Sequence, residues 1–372
     1  MDKKALKFFE EFCNVPGPSG FEKEVAVMLK AYVKDYADSI CNDNIGNLMF
    51  EKKGTKSDVT VMMAGHMDEV GFIVTGINPM GYLAFNQLGG WFDQVLLGQR
   101  VIIHTKDGLL QGVISCKPPH LMDAEEAKKV VTKEKMFIDI GAANKDEADA
   151  MGVRLGDCIV PDSKFRLQEK KVFKDGKEVG TRTLAWGKAF DNRYGAFVAA
   201  EVVRRLKEDK VKHANRVVGA GTVQEEVGVR GAKVVSATVK PDVAIVLDVE
   251  LAGDEPGIDP LQAPMKMGEG VAITIFDGSM IPNQPLKELA ISICQKKKIP
   301  YGLTFVARGG TDGGVIHTSN MGIPTIVIGV ATRHIHSHVS VIDLKDIEDS
   351  IVFCVELIKA LDKKTVDGLT SI

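Results

Sequence analysis

Residues 216–226 read Arg-Val-Val-Gly-Ala-Gly-Thr-Val-Gln-Glu-Glu, a β-prone run that stops abruptly on two adjacent acids. The same grammar recurs. Residues 59–64 are apolar, too short for an ordinary helix and suited to a buried strand, and His66 and Asp68 follow at once. Residues 243–247 lead into Asp248, and 324–329 run on towards Arg333-His334-Ile335-His336-Ser337. Helical periods at 192–207, 286–297 and 344–361 separate these runs. Strands alternating with helices argue for an α/β fold, a mixed and largely parallel sheet flanked by helices.

Further towards the N-terminus, Ser19-Gly20-Phe21-Glu22 has the form of a capping box, with Phe21, Val25, Met28, Leu29 and Tyr32 as the buried stripe of the helix it would open. Between 72 and 179 the texture changes to short β-prone stretches broken by Gly, Asp and Pro. We therefore expect an α/β domain of residues 1–71 and 180–372, interrupted at 72–179 by a small β-barrel-like insert. A chain of 372 residues is long enough for two domains.

Bulk composition excludes several classes. A net charge of −3 leaves no electrostatic footprint for nucleic acid or an anionic membrane surface, so peptides or small molecules are the expected partners. The six cysteines are scattered, without zinc-knuckle or redox spacing, and read as buried free thiols of a reducing compartment. The first eleven residues are charged and amphipathic rather than a signal peptide, and no apolar run is long enough to span a bilayer. A soluble cytoplasmic protein is expected.

In open α/β sheets, ligands bind beyond the carboxyl ends of the strands. His66, the Glu225-Glu226 pair, Asp248 and His336 all fall there, and Asp191 sits where a helix begins. Each alone has a bland reading: a hydrogen-bonded structural histidine, a helix N-cap, a turn aspartate, solvated loop acids. Together they form a set of two imidazoles and three carboxylates, which suits zinc, cobalt or manganese. Five ligands exceed one catalytic ion, and a carboxylate shared between two ions resolves the count. Such a pair supports hydrolysis of an amide or ester. Asp68, two residues after His66, is placed to accept the other ring N–H of that imidazole. Glu225 and Glu226 diverge at a strand end, so one can ligate while the other shuttles a proton.

At these residues the chain resembles the dinuclear metallo-aminopeptidases that include glutamyl aminopeptidase and the tetrahedral (TET) aminopeptidases. The matching pieces are GHMDEVGF at 65–72, AFDNR at 189–193, QEEVGVRGA at 224–232, LDVE at 247–250, GGTDGG at 309–314 and RHIHS at 333–337. The resemblance implies that Asp191 bridges two ions, with His66 and Asp248 on one and Glu226 and His336 on the other. It implies Glu225 as general base and Asp68 as the group orienting His66. It also implies that the insert mediates oligomerisation, in a tetrahedral dodecamer. The chain departs from the family pattern at His334 in place of Tyr, His338 in place of Pro and Gly313 in place of Ala. His334 and His338 are read as structural or rim residues, and His317 as a helix-face residue.

Relatives of this family have also been labelled glucanases, which makes a glycoside hydrolase the rival reading. That chemistry needs two carboxyls about 5–9.5 Å apart and no metal, so it leaves the histidines without a role. Two Trp and five Tyr also offer few sugar-stacking platforms. A scaffold with structural zinc would favour a closed, cysteine-containing site. A metal-dependent deacylase or carboxypeptidase could use the same core, so the exopeptidase direction comes from the resemblance alone. Arg308 offers either a partner for an acidic substrate side chain or a structural ion pair.

Overall fold

A computed structural model of the chain describes residues 1–370. Numbered along the chain, the main sheet has the order β1 (Ser39–Asn42), β2 (Leu48–Lys52), β12 (Arg216–Thr222), β3 (Thr60–His66), β13 (Val243–Leu251), β16 (Thr325–Thr332), β14 (Val271–Asp277) and β15 (Tyr301–Val306). Its four central strands, β12, β3, β13 and β16, run parallel. The reason lies in their composition. Val61 and Met63 of β3 join the apolar cluster on one face, while Met62 and Ala64 join the cluster on the other. A strand buried on both faces has no use for polar alternation.

Helices α1 (Lys3–Asn14), α2 (Lys23–Val33), α4 (Phe190–Glu208), α6 (Gln284–Lys297) and α8 (Leu344–Ala360) share the larger of these clusters, and α5 (Arg230–Val239) with the short α7 (Gly313–Ile316) shares the other. The helix α3 (Lys145–Ala150) belongs to the insert, and α9 (Lys363–Asp367) follows α8. No helix among the described residues is long and apolar enough to cross a membrane.

A closed barrel joins β4 (Gly71–Ile77), β5 (Leu83–Leu88), β8 (Phe137–Asp139), β7 (Gly108–Ser115), β6 (Arg100–Thr105) and β9 (Cys158–Pro161). It has its own core, including Phe72, Leu83, Ile103, Ile114, Ile138 and Ile159. The long hairpin of β10 (Arg166–Lys174) and β11 (Lys177–Gly187) pairs instead with β17 (Ser340–Asp343), so β11 runs through position 179 as one continuous strand.

Two expectations need correction. The helix expected after Ser19 starts only at Lys23, without a side-chain cap, because Ser19 Oγ donates to Asp68 Oδ2 at 2.6 Å instead. Phe21 is exposed, whereas Val25 and Leu29 of the expected stripe are buried. The six cysteines are all free thiols, but Cys41 is exposed and Cys116 half-buried.

Candidate functional site

His66 is the last residue of β3, and Asp248 lies on β13 just beyond the point where that strand leaves β3 at Val246. Glu225 and Glu226 occupy the loop after β12, Asp191 the first turn of α4, and His336 the loop after β16. All six line one cavity of about 730 Å³.

Close backbone approach makes this convergence possible. A Cβ on Gly65 would stand 2.3 Å from the Gly195 carbonyl carbon, and one on Gly195 only 2.1 Å from Leu247 O. Glycine at both positions therefore lets α4 press its N-terminal end against β3 and β13. Asn192 pins it there, donating to Leu247 O at 2.7 Å while accepting from Gly195 N–H at 2.8 Å. Ala189, Gln224, Val229 and His334, near site residues, and His336 itself adopt left-handed backbone conformations, the strained positions that cluster at functional loops.

Within the cavity, His66 Nε2 lies 3.2 Å from Asp191 Oδ1, 3.8 Å from Glu225 Oε2 and 4.0 Å from Asp248 Oδ1. His336 Nε2 lies 3.2 Å from Asp191 Oδ2 and 3.4 Å from Glu226 Oε2. Two groups of donor atoms result, each gathered within 4.8 Å: His66, Asp191 and Asp248, and Asp191, Glu226 and His336. Asp191 belongs to both. Its two oxygens face different imidazoles.

Asp68 lies behind His66 and is fully buried. Its backbone carbonyl is 3.1 Å from His66 Nδ1 and its carboxylate 3.3 Å. The same carboxylate accepts from the N–H groups of Glu225 (3.0 Å) and Glu226 (3.2 Å). One side chain thus links the β3 and β12 loops. Next to it, buried Glu69 accepts from Lys188 Nζ at 2.6 Å and Arg193 Nη2 at 3.2 Å. These cations bracket Asp191 in sequence, and Arg193 also donates to Met67 O at 2.6 Å. The sequence alone did not reveal this support, because no local signal marks Glu69 as the partner of cations 119 and 124 residues away.

The electrostatics ask for added positive charge. Burial pushes Glu225 and Asp248 well above the usual carboxylate range, and it raises Glu226 to about 8, helped by the nearby Asp191 charge. Burial pulls the His336 imidazole down, but Asp191 and Glu226 outweigh it and lift the group to about 10. Among the described residues, no Lys or Arg forms an ion pair with Asp191, Glu225, Glu226 or Asp248. Glu226 Oε1 is buried without any hydrogen-bond partner among them. Clustered acids, an orphaned carboxylate oxygen and two imidazoles form a mixed nitrogen and oxygen donor set that fits divalent ions such as zinc, cobalt or manganese.

The remaining histidines separate from this set. His334 is exposed, with Nδ1 3.2 Å from Glu255 Oε1. His338 is buried against Trp91, at 5.3 Å between ring centroids. His317 caps the short α7, with Nδ1 2.8 Å from Gly313 O. Arg308 lines the cavity and is exposed, and among the described residues it forms no ion pair. Asp312, within the glycine-rich stretch 309–314, does not itself line the cavity, although its neighbours Gly310 and Thr311 do, and the sequence alone left it without a role. It is buried, bonded to Thr222 Oγ1 at 2.5 Å, and raised to about 6 by burial.

A family description, M42 glutamyl aminopeptidase, matches residues 46–353, most of the chain. The chain belongs to this family. It is 49% identical to the TET aminopeptidase of the marine sediment archaeon Thaumarchaeota archaeon SCGC AB-539-E09, with a TM-score of 0.93 over 99% of each chain. The glutamyl aminopeptidase of Lactococcus lactis is 32% identical over 95% of both chains. The TET1 peptidase of Pyrococcus horikoshii, described as able to assemble into a tetrahedron or a large octahedral shell, superposes with a TM-score of 0.81 at 30% identity, covering 96% of this chain and all of that one. The chain is thus similar to hydrolases of the aminopeptidase class.

Proposed function

We propose that this M42 family member removes the N-terminal residue of peptides with two divalent ions, zinc or cobalt in the first place and manganese as an alternative. His66, Asp191 and Asp248 would hold one ion, and Asp191, Glu226 and His336 the other. When bound, the ions polarise the scissile carbonyl and make a water acidic enough to attack it. Glu225 takes the proton from that water and delivers it to the leaving amine, and Asp68 fixes the orientation of His66. The single observation that carries the reading is Asp191, whose two oxygens each stand 3.2 Å from a different imidazole.

The test compares a free-amine peptide with its N-acetylated form before and after chelation. Hydrolysis of the free-amine peptide alone is expected, lost on chelation and restored by zinc or cobalt. Cleavage of acetylated peptide at an equal rate would point to a deacylase or endopeptidase, and chelator-resistant hydrolysis would remove the metal from the scheme.

We propose further that residues 72–179 form an inserted oligomerisation module on an α/β domain of residues 1–71 and 180–372, and that the assembly is a tetrahedral dodecamer. Support comes from the barrel's separate core and from the shells formed by the similar P. horikoshii protein. Light scattering is expected to give about twelve times the 40.3 kDa chain mass in the presence of metal. A monomer at micromolar concentration would contradict this. A cytoplasmic location fits the six free thiols.

A further inference from the structure

We propose that an extended peptide substrate binds as an added antiparallel strand on the free edge of β15, running outward from the cavity. This rests on the aminopeptidase reading and adds to it where the rest of the peptide lies.

The last strand of the main sheet, β15, pairs with β14 alone among the described residues. Its ladder opens with Val271 N–H donating to Pro300 O at 2.9 Å, with Val271 in register with Tyr301. In a parallel pair alternate residues face the partner, so Gly302 and Thr304 turn their peptide groups to β14. Those of Tyr301, Leu303 and Phe305 turn to the open side. Among the described residues, none of these three takes part in a backbone hydrogen bond outside the ladder. Leu303 is 42% exposed.

Edges of this kind are normally blunted by Lys, Pro or a bulge. The stretch Tyr-Gly-Leu-Thr-Phe-Val has neither residue, and the register shift in this pair falls between Thr274 and Asp277 of β14. An open, unguarded edge invites strand addition.

What selects the occupant is where the edge leads. Val306, the last residue of β15, lines the cavity with Arg308, His66, Asp191 and Glu225. A peptide whose N-terminal residue lies in that cavity must leave it, and leaving along β15 means running against that strand's direction. Antiparallel pairing is the result. At about 3.4 Å per residue, the six residues of β15 offer roughly 20 Å of edge, enough for about six substrate residues. Main-chain bonds ignore side chains, so such a groove would serve peptides of varied sequence.

The experiment uses peptides of two to ten residues sharing one N-terminal residue, beside a chromogenic amide of that residue, which is too short to reach the edge. KM is expected to fall about tenfold between two and six residues and then level off. N-methylation along a hexapeptide should raise KM about tenfold at every second amide and leave the intervening amides neutral, because only alternate residues of an added strand face the ladder. Leu303→Pro removes an N–H that β14 does not use, so the sheet tolerates it. Its expected effect is to bring the hexapeptide-to-dipeptide ratio of kcat/KM close to one. Should that variant fail to fold, the N-methyl series on the unaltered enzyme decides. A KM independent of length, or N-methyl effects without period two, overturns the edge proposal while the chromogenic amide is still hydrolysed. A second copy of the chain seated on the edge would give the same flat profile and would overturn the proposal equally. If neither amide nor peptides are hydrolysed by the metal-loaded protein, it is the aminopeptidase reading that fails.

Discussion

Asp191→Ala is expected to weaken both metal positions together, whereas His66→Ala and Asp248→Ala each weaken mainly one. The expectation follows from geometry. Asp191 belongs to both groups of donor atoms, while His66 and Asp248 belong to one group and Glu226 and His336 to the other. Removing the shared carboxylate leaves two donors in each group and also takes away the acceptor that stands 3.2 Å from both imidazoles. A direct ligand should cost more than the 10–100-fold typical of an outer-shell partner, so each position should lose roughly a hundredfold or more in affinity. Metal content per chain after dialysis against a weak chelator is the measurement, with calorimetric titration resolving the two steps. Two ions held at normal affinity by Asp191→Ala would remove the bridge, and equal loss from both positions in His66→Ala would show that the groups do not act separately.

How much of this was legible in the sequence varied with the range of the forces involved. The strands β3, β12, β13 and β16 announce themselves because each is buried on both faces along its middle and must be apolar there. Their carboxyl ends carry His66, the Glu225 loop, Asp248 and the His336 loop, so chain order alone assembled the candidate site apart from Asp191. Asp191 was harder. What brings it over the sheet is the contact of Gly195 with Leu247 O and the Asn192 side chain, neither of which leaves a periodic trace. Ser19 misled for a related reason. Its neighbours fit a capping box, yet the hydroxyl goes to Asp68, 49 residues away, where a buried carboxylate needs a donor more than an exposed helix end does. The long hairpin of β10 and β11 follows the barrel strands in the chain, and its pairing with β17 in a separate three-stranded sheet sets it apart from them. Such pairing is a long-range choice that local propensity does not encode.

The adjacent acids Glu225 and Glu226 provide the sharpest division of labour to test, because the proposed mechanism gives consecutive positions the different roles of proton carrier and ligand. Their backbone N–H groups both donate to Asp68, so the loop is fixed and the two carboxylates depart from a common anchor in different directions. Glu225 lies 3.8 Å from His66 Nε2, and burial raises its proton affinity, with the neighbouring charges of Asp312, Glu226 and Asp191 acting in the same sense. That suits a group that must take a proton and release it again. Glu226 lies 3.4 Å from His336 Nε2 and keeps one oxygen buried without a partner among the described residues, which suits a ligand. Glu225→Gln keeps size and polarity but removes the acceptor, so turnover should fall by about 10²–10⁴-fold while both ions are retained. Glu226→Gln replaces a charged oxygen donor by a weaker neutral one, so affinity for one ion should drop and activity should partly return at high metal concentration. Each variant is titrated with metal while peptide hydrolysis and bound metal are followed together. Rescue of Glu225→Gln but not of Glu226→Gln would exchange the two roles, and unchanged hydrolysis in both would take the proposed mechanism away from this loop altogether.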